Sequence, residues 1–358
     1  NRLIVVEPGV VTAEIERIAR SAGLFYPPDP GSNAYCRIGG NLAMNAAGPR
    51  AVKYGVTRDY VLGLRAVTGS GQEIRTGCRT TKGVTGYDLT RLLVGSEGTL
   101  ALITEATLKL LPAPETVATL RVSYASPRAA LDAVSRIMRQ QVTPCALEFM
   151  DHRAIDAIRP TGATDDLPPD TRALLMVEAD GAMQDVPRQI AALEKSLAGN
   201  GLLDMKSGFK PNDITRLWTA RKSLSHAVKQ IAPLKINEDV VVPVSQLAGF
   251  VDFIDQLADA QRLPIVSFGH AGNGNLHVNL MVHPDDADEM ARAHLALDVI
   301  MQRVLALGGT LSGEHGIGSE KRCFVPQEID PVTLGLMRAI KQQFDPRALL
   351  NPGKLFPD

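Results

Sequence analysis

The stretch Ser267-Phe268-Gly269-His270-Ala271-Gly272-Asn273-Gly274-Asn275-Leu276-His277-Val278-Asn279 reads as a strand, a glycine-rich loop and a second strand. Side chains alternate across a strand with period two, so His277 and Asn279 share one face while Leu276, Val278 and Leu280 pack on the other. The intervening glycines allow the imidazoles of His270 and His277 to turn toward one point.

Working outward, strands are predicted at 239–243, 264–268 and 276–282, with helices at 212–230, 245–260, 287–307 and 331–343. Further upstream, Val117–Val122, a helix from Pro127 to about Gln141 behind Ser126 or Ser123, Ala146–Phe149, Ala173–Ala179, a helix over Val186–Leu197 and Leu202–Lys206 follow a β, α, β, β, α, β order. That order suits an α+β layer with helices on one face of an antiparallel sheet. No repeat of fixed period is visible.

A second polar island, Ser312-Gly313-Glu314-His315-Gly316-Ile317-Gly318, sets a carboxylate beside an imidazole. His270, His277 and Glu314 together make an N2O donor set suited to Zn²⁺, Mn²⁺ or Fe²⁺, with coordination positions left for water or substrate. Arg221, Ser225 and Lys235 lie upstream of the histidine loop as candidates for an anionic substrate, the arginine through a bidentate fork and the lysine as a point charge.

The first 111 residues are rich in glycine and short β-branched runs. Leu3–Val6 reads as a strand, Thr12 as the cap of a helix running through Arg20, and Val61–Thr68, Gly69-Ser70-Gly71 and Glu73–Thr76 as strand, turn, strand. Ile103–Leu111 alternates, and Pro112-Ala113-Pro114 breaks it. Islands at Tyr26–Ser32, Gly39–Gly48 and Gly95–Leu100 could present backbone N–H groups to a phosphate or a flavin edge. Neither GxxxxGK[ST] nor a helix-opening GxGxxG occurs, which excludes the P-loop and the common dinucleotide fingerprint.

Composition narrows the function classes. The 358 residues carry 38 Lys+Arg against 39 Asp+Glu, a formal net charge of −1, with 45% hydrophobic and 22% charged residues. That length suits about two domains, and so balanced a charge disfavours nucleic acid as a partner. No apolar run is long enough to span a bilayer and no signal peptide is visible, so a cytoplasmic location is expected, with peripheral attachment at the inner membrane as the variant. Four dispersed cysteines fit reduced thiols.

Taken together, Pro27-Pro28-Asp29-Pro30, Ile38-Gly39-Gly40-Asn41, Lys53-Tyr54-Gly55, Gly86-Tyr87-Asp88-Leu89, Gly95-Ser96-Glu97-Gly98, the two histidine islands and Asn351-Pro352-Gly353-Lys354 resemble the FAD-linked oxidases of the vanillyl-alcohol oxidase (PCMH) type. The resemblance is to the branch holding D-lactate dehydrogenase, D-2-hydroxyglutarate dehydrogenase and the glycolate oxidase D subunit, and it spans nearly the whole chain. It implies a vanillyl-alcohol-oxidase-like FAD-binding domain over residues 1–112, a ferredoxin-like substrate domain with the metal site over 113–325, and a 326–358 segment returning to the flavin domain. Flavin contacts are implied at Pro28, Gly39, Gly40, Asn45, Gly48, Tyr54, Gly55, Gly98, Ile103 and Asn351. Metal ligation is implied at His270, His277 and Glu314, and substrate-carboxylate binding at Arg221 and Lys235 with Ser225. The resemblance also implies the proton-abstracting role for His315, and for Asn279 a contact to substrate or support of the metal shell.

The implied reaction is FAD-dependent oxidation of a D-2-hydroxy acid (D-lactate, D-2-hydroxyglutarate or glycolate) to the 2-oxo acid. Hydride passes to flavin N5 and the metal assists loss of the hydroxyl proton. A quinone, cytochrome or electron-transfer flavoprotein would reoxidise the flavin, and a homodimer or partner oxidase subunits would complete the assembly. Two departures stand out. Asn45-Ala46-Ala47-Gly48 stands where the family commonly has Asn-Ala-Gly-Gly, and the resemblance implies that Asn1 enters at a mid-domain strand, the family's pyrophosphate-holding subdomain being expected ahead of it. The expectation that follows is a part of a longer molecule with weak FAD binding. Two other readings of the same residues are a redox-inactive metal-binding or assembly subunit and a metal hydrolase.

Overall fold

The computed structural model describes residues 1–80 and 82–357, apart from the side chain of Ser225. The chain forms two compact units, Asn1–Ala113 with Leu311–Asp358, and Pro114–Thr310. Residues 311–325, which the sequence reading places in the substrate domain, group with the first unit. The Glu97 carboxylate holds this segment, accepting from the backbone N–H of Ile317 at 2.7 Å and of Gly318 at 2.8 Å.

In the first unit, Leu3–Val6, Ala101–Lys109, Val61–Thr68 and Glu73–Gly77 lie side by side in that order as an antiparallel sheet. The β-branched runs supply the strands, and Gly71, at φ +82°, supplies the left-handed residue of the Thr68–Gln72 turn. Ile15 and Ala19 of the Thr12–Ser21 helix, Ile38 and Leu42 of the Ile38–Met44 helix, and Leu64, Ala66, Ala106 and Leu108 of the sheet share one core. Each large aliphatic side chain buried there stabilises the unit by about 1.5–3 kcal/mol. Ile340 and Phe344 of the C-terminal helix Pro331–Phe344 pack against the same core. One local expectation fails. The Thr12–Ser21 helix is preceded by Val11 with no side-chain cap, because the Thr12 hydroxyl accepts instead from Asn41 Nδ2 at 2.7 Å.

The second unit is built on one antiparallel sheet in the order Leu202–Gly208, Thr116–Tyr124, Ala173–Gly181, Ala146–Met150, Ile265–Gly269, Asn275–Val282, Leu234–Val241. The first four strands, with the helices Pro127–Ile137 and Val186–Leu197, make a βαββαβ motif of spatial order 4-1-3-2, the ferredoxin-like arrangement. Leu234–Val241, helix Leu247–Gln261, Ile265–Gly269, Asn275–Val282 and helix Ala287–Ala306 repeat that order, with the fourth strand reduced to the bridge between Val241 and Thr310. The second strands of the two halves meet at the centre through Met150 opposite Phe268 and Phe149 opposite Gly269. This duplication is one of topology, which explains why no period shows in the residues.

Helices cover both faces of this sheet, not one as the β, α, β, β, α, β reading expects. Met150, Leu174, Met176, Val266, Phe268 and Met281 pack with Ile155 and Ile158 of the His152–Ile158 helix and with Leu217, Ala220 and Leu224. The opposite alternation (Leu120, Val122, Leu147, Phe149, Leu175, Val177) is fully buried beneath the other helices, where Pro127–Ile137 packs beside Val186–Leu197 and Leu247–Gln261. Among the described residues, no helix is long and apolar enough to cross a membrane.

Candidate active site

Register gathers Arg121, Glu148, His270, His277 and Asp239 on one face of the second unit's sheet. Arg121 stands opposite Met176, Met176 opposite Glu148, and one step beyond the Phe149–Gly269 pair Glu148 meets His270. In the adjoining row Met150 faces Phe268, Phe268 faces His277, and His277 faces Asp239. The other face is mostly apolar, Ser267 and Glu238 opposite Val278 being its buried polar side chains, while Arg121, Glu148, His270, His277 and Asp239 emerge on the side of the His152–Ile158 and Thr219–Ala227 helices.

The loop carrying the histidines is short because Ala271–Asn273 forms one 3-10 turn, closed by Gly274 at φ +73°, where a side chain would strike the Val242 carbonyl. His270 O accepts from the N–H of both Asn273 and Asn275. The result places the His270 and His277 rings edge to face, centroids 5.5 Å apart, with a nitrogen of each within 4.8 Å of one another. Both side chains are buried. Two imidazoles so disposed suit a divalent cation of the Zn²⁺, Mn²⁺ or Fe²⁺ class.

Glu148 completes the cluster. Its side chain has no exposure, its Oε1 lies 2.5 Å from His270 Nδ1, and its Oε2 accepts from Arg221 Nε at 3.1 Å and Nη2 at 3.0 Å. Burial pushes this carboxyl up, but the charges and hydrogen bonds of His270 and Arg221 outweigh that and hold it at about 2. The Arg221 guanidinium also lies over the Phe268 ring, 5.1 Å from its centroid. Asp151 secures the neighbouring backbone, capping the His152–Ile158 helix at Ala154 N and accepting from Ser267 N, both at 2.7 Å.

Asn279 is fully buried and its polar atoms are engaged. Nδ2 donates to the carbonyls of Val266 and His277, each at 3.0 Å, and Oδ1 accepts from Asn237 at 2.5 Å. It thereby braces the strand that carries His277. Lys235 lies on the same strand face, opposite Met281, and burial, with the Lys229 ammonium nearby, lowers its pKa from the ordinary lysine value. The backbone of Ser225 belongs to the Thr219–Ala227 helix, and its side chain lies outside the described residues.

The remaining predicted residues belong to the first unit. Glu314 is partly buried and His315 exposed, on the loop whose continuation is clamped by Glu97 and braced by Ser312 Oγ, which accepts from Gly316 N at 2.8 Å. Gly316 cannot carry a side chain, which would meet Met44 Cε at 2.3 Å and Glu97 Oε1 at 2.8 Å. Asn351 Nδ2 donates to the Glu97 carbonyl at 2.5 Å, and Glu97 N donates to Ala43 O at 2.8 Å. Glu97 therefore ties together the islands of 38–48, 95–98, 312–318 and 351–354.

Of the predicted flavin contacts, Gly40 leaves open space where a side chain would be, whereas at Gly48 a Cβ would come within 2.2 Å of the Asp29 carbonyl. Asn45 closes the Ile38–Met44 helix in the left-handed region, and its Oδ1 accepts from Arg58 N at 2.9 Å. Gly39 packs on Pro8, Gly55 on Asp59 and Gly98 on Asn351. The Tyr54 ring meets Phe25 edge on, Ile103 packs against the core, and Pro28 is buried. Ala47, the departure from the family pattern, is buried. The open backbone at Gly40 and the small residues around it fit the close approach of a planar cofactor.

Sequence reasoning passes over Glu148, Arg121 and the role of Glu97. The signal for the first two is a charged residue inside an otherwise apolar strand, Ala146-Leu147-Glu148-Phe149-Met150 and Leu120-Arg121-Val122, a pattern that survives burial only with a partner.

Residues 113–355 match the model for the C-terminal domain of FAD linked oxidases, and residues 1–77 match an FAD binding domain. The chain belongs to the FAD-linked oxidases. Glycolate oxidase subunit GlcD of Bacillus subtilis is 41% identical over 356 residues, covering 99% of this chain and 76% of that protein. D-lactate dehydrogenase of Anaerostipes hadrus is 33% identical over 365 residues, covering 99% and 76%. The solved p-cresol methylhydroxylase is similar in fold, with a TM-score of 0.75 at 14% identity over 98% of this chain and 75% of that one. This FAD-linked oxidase thus has the expected α+β architecture.

Proposed function

We propose that the chain oxidises a D-2-hydroxy acid of the D-lactate, glycolate or D-2-hydroxyglutarate class to the 2-oxo acid, with FAD as the immediate oxidant. The observation that carries the reading is the buried Glu148–His270–His277–Arg221 cluster, in a chain whose sequence relatives are a glycolate oxidase subunit and a D-lactate dehydrogenase. His270, His277 and Glu314 would hold a divalent cation, and Pro28, Gly39, Gly40, Asn45, Gly48, Tyr54, Gly55, Gly98, Ile103 and Asn351 would line the flavin. When bound, FAD supplies the acceptor for two electrons and the substrate's Cα hydrogen, and the cation polarises the oxygens of the hydroxy acid.

The chain's own residues bind and move a proton. Arg221 spends Nε and Nη2 on Glu148 and meets the substrate carboxylate with its Nη1 edge, while Lys235 adds a second positive charge and Ser225 a hydroxyl. His315 Nδ1 or Nε2 accepts the hydroxyl proton as the Cα–H bond breaks. Asn279 keeps the His277 strand in register. The electron acceptor belongs to the quinone, cytochrome or electron-transfer flavoprotein class, and partner oxidase subunits are expected because one relative is a named subunit.

Replacing His315 by Ala or Asn in flavin-loaded protein tests the assignment. Flavin reduction by substrate should slow by roughly 10²–10⁴-fold with the flavin spectrum unchanged. Reduction at the original rate would remove His315 from the proton transfer.

A further inference from the structure

We propose that Glu148 is a positioning residue that sets the tautomer of His270 and the aim of Arg221 through one carboxylate; the inference rests on the reading of His270 as a metal ligand. Glu148 is completely buried, with one oxygen on His270 Nδ1 and the other on two nitrogens of Arg221. An ionised carboxylate only accepts hydrogen bonds, so the hydrogen of the neutral imidazole must sit on Nδ1. Nε2 then carries the lone pair, and it is the atom with which His270 coordinates. A carboxylate behind a ligating histidine in this way both orients the ring and raises its basicity.

Strand register brings the two residues together. Phe149 lies opposite Gly269, so the next residue back on one strand meets the next residue forward on the other, bringing Glu148 to His270. Arg221 arrives separately, from the Thr219–Ala227 helix, and is held from its other side by the Phe268 ring. The ligand to the cation and the candidate cation for the substrate carboxylate therefore share a single anchor, and changes at Glu148 reach both.

Glu148→Gln separates the two connections. The arginine can only donate, so the amide oxygen stays with Arg221 and the amide NH₂ turns to His270 Nδ1. The ring must then accept at Nδ1 and carry its hydrogen on Nε2, the tautomer that cannot coordinate. Glu148→Ala frees both partners.

The test measures the affinity of the full chain for Zn²⁺ and for Mn²⁺ by chelator competition, beside KM and kcat of flavin-loaded protein at saturating metal. Glu148→Gln is expected to weaken metal binding by about 10–100-fold with KM for the hydroxy acid nearly unchanged, and Glu148→Ala to weaken metal binding and raise KM. Wild-type metal affinity in Glu148→Gln, with metal lost in His270→Ala, would overturn the positioning role and leave the metal site standing. Undiminished metal binding in both His270→Ala and His277→Ala would bring down the metal reading and this inference with it. Should Glu148→Gln not fold, ring ¹⁵N spectra of the unaltered, metal-free chain decide. A hydrogen on His270 Nδ1 is expected, and one on Nε2 overturns the proposal.

Discussion

Glu97 Oε1 accepts from the backbone N–H of Ile317 at 2.7 Å, across 220 positions of sequence. With Oε2 on Gly318 N and its own carbonyl on Asn351 Nδ2, this one side chain holds the loop of Glu314 and His315 to the glycine-rich islands of the first unit. Glu97 itself sits at φ +54°, a conformation that a side chain adopts only at a cost, so the contacts it makes must hold it there.

Glu97→Ala should leave two backbone donors without their acceptor and destabilise the first unit by ~1–3 kcal/mol, read from urea unfolding. Glu97→Gln keeps one acceptor oxygen and should recover part of the loss. Equal stability in all three proteins would show that water satisfies the loop equally well.

Gly48→Ala tests the close approach to Asp29. A methyl placed 2.2 Å from the Asp29 carbonyl forces the backbone apart and should cost ~1–3 kcal/mol, whereas Gly40→Ala meets nothing and should leave unfolding of the flavin-free protein nearly unchanged. If Gly40 lies against a planar cofactor, its substitution should show instead as weaker FAD binding.

Asp166 should make the second unit acid-labile. Its hydrogen bond from Arg121 is the main cause that holds its carboxyl down at about 2, helped by Lys206. A depressed carboxyl contributes stability above its unfolded value of about 3.9 and loses it as pH falls toward 2. Because Asp166 is half exposed the contribution is at most ~1 kcal/mol, and Asp166→Asn should flatten that limb of the stability profile.

Asp151 acts with the opposite sign. Burial pushes its carboxyl up to about 7, so the stability it contributes is complete below pH ~4 and declines as pH rises toward 7, at no more than ~1.4 kcal/mol per pH unit. Asp151→Asn should remove this slope from pH-dependent unfolding. A carboxyl titration near 4 by NMR would mean that the N–H groups of Ala154 and Ser267 outweigh burial.

His277→Ala should reduce bound metal to background by elemental analysis, while His283→Ala, on an exposed histidine paired with Glu289, should not. Retention of metal in both would place the cation elsewhere.

Much of this organisation is legible in the residues, because alternation, capping and glycine turns act over a few positions. Ser126 caps the Pro127–Ile137 helix, and the Asn275–Val282 strand carries His277 and Asn279 on one face as its alternation predicts. The His270–His277 loop brings its two rings together within eight residues of chain, and the family is written in its motif islands. What pairs across long separations is not legible. Glu148 reaches His270 over 122 positions and Arg221 over 73, and which acid meets which base depends on strand register. The same holds for Glu97 and the 312–318 loop, and for the topological duplication of the second unit, where two dissimilar stretches satisfy one pattern of pairing. Periodicity determined which side chains share a face; only the tertiary structure decided what each buried charge faces, since the energy of burying it depends on the partner that packing supplies.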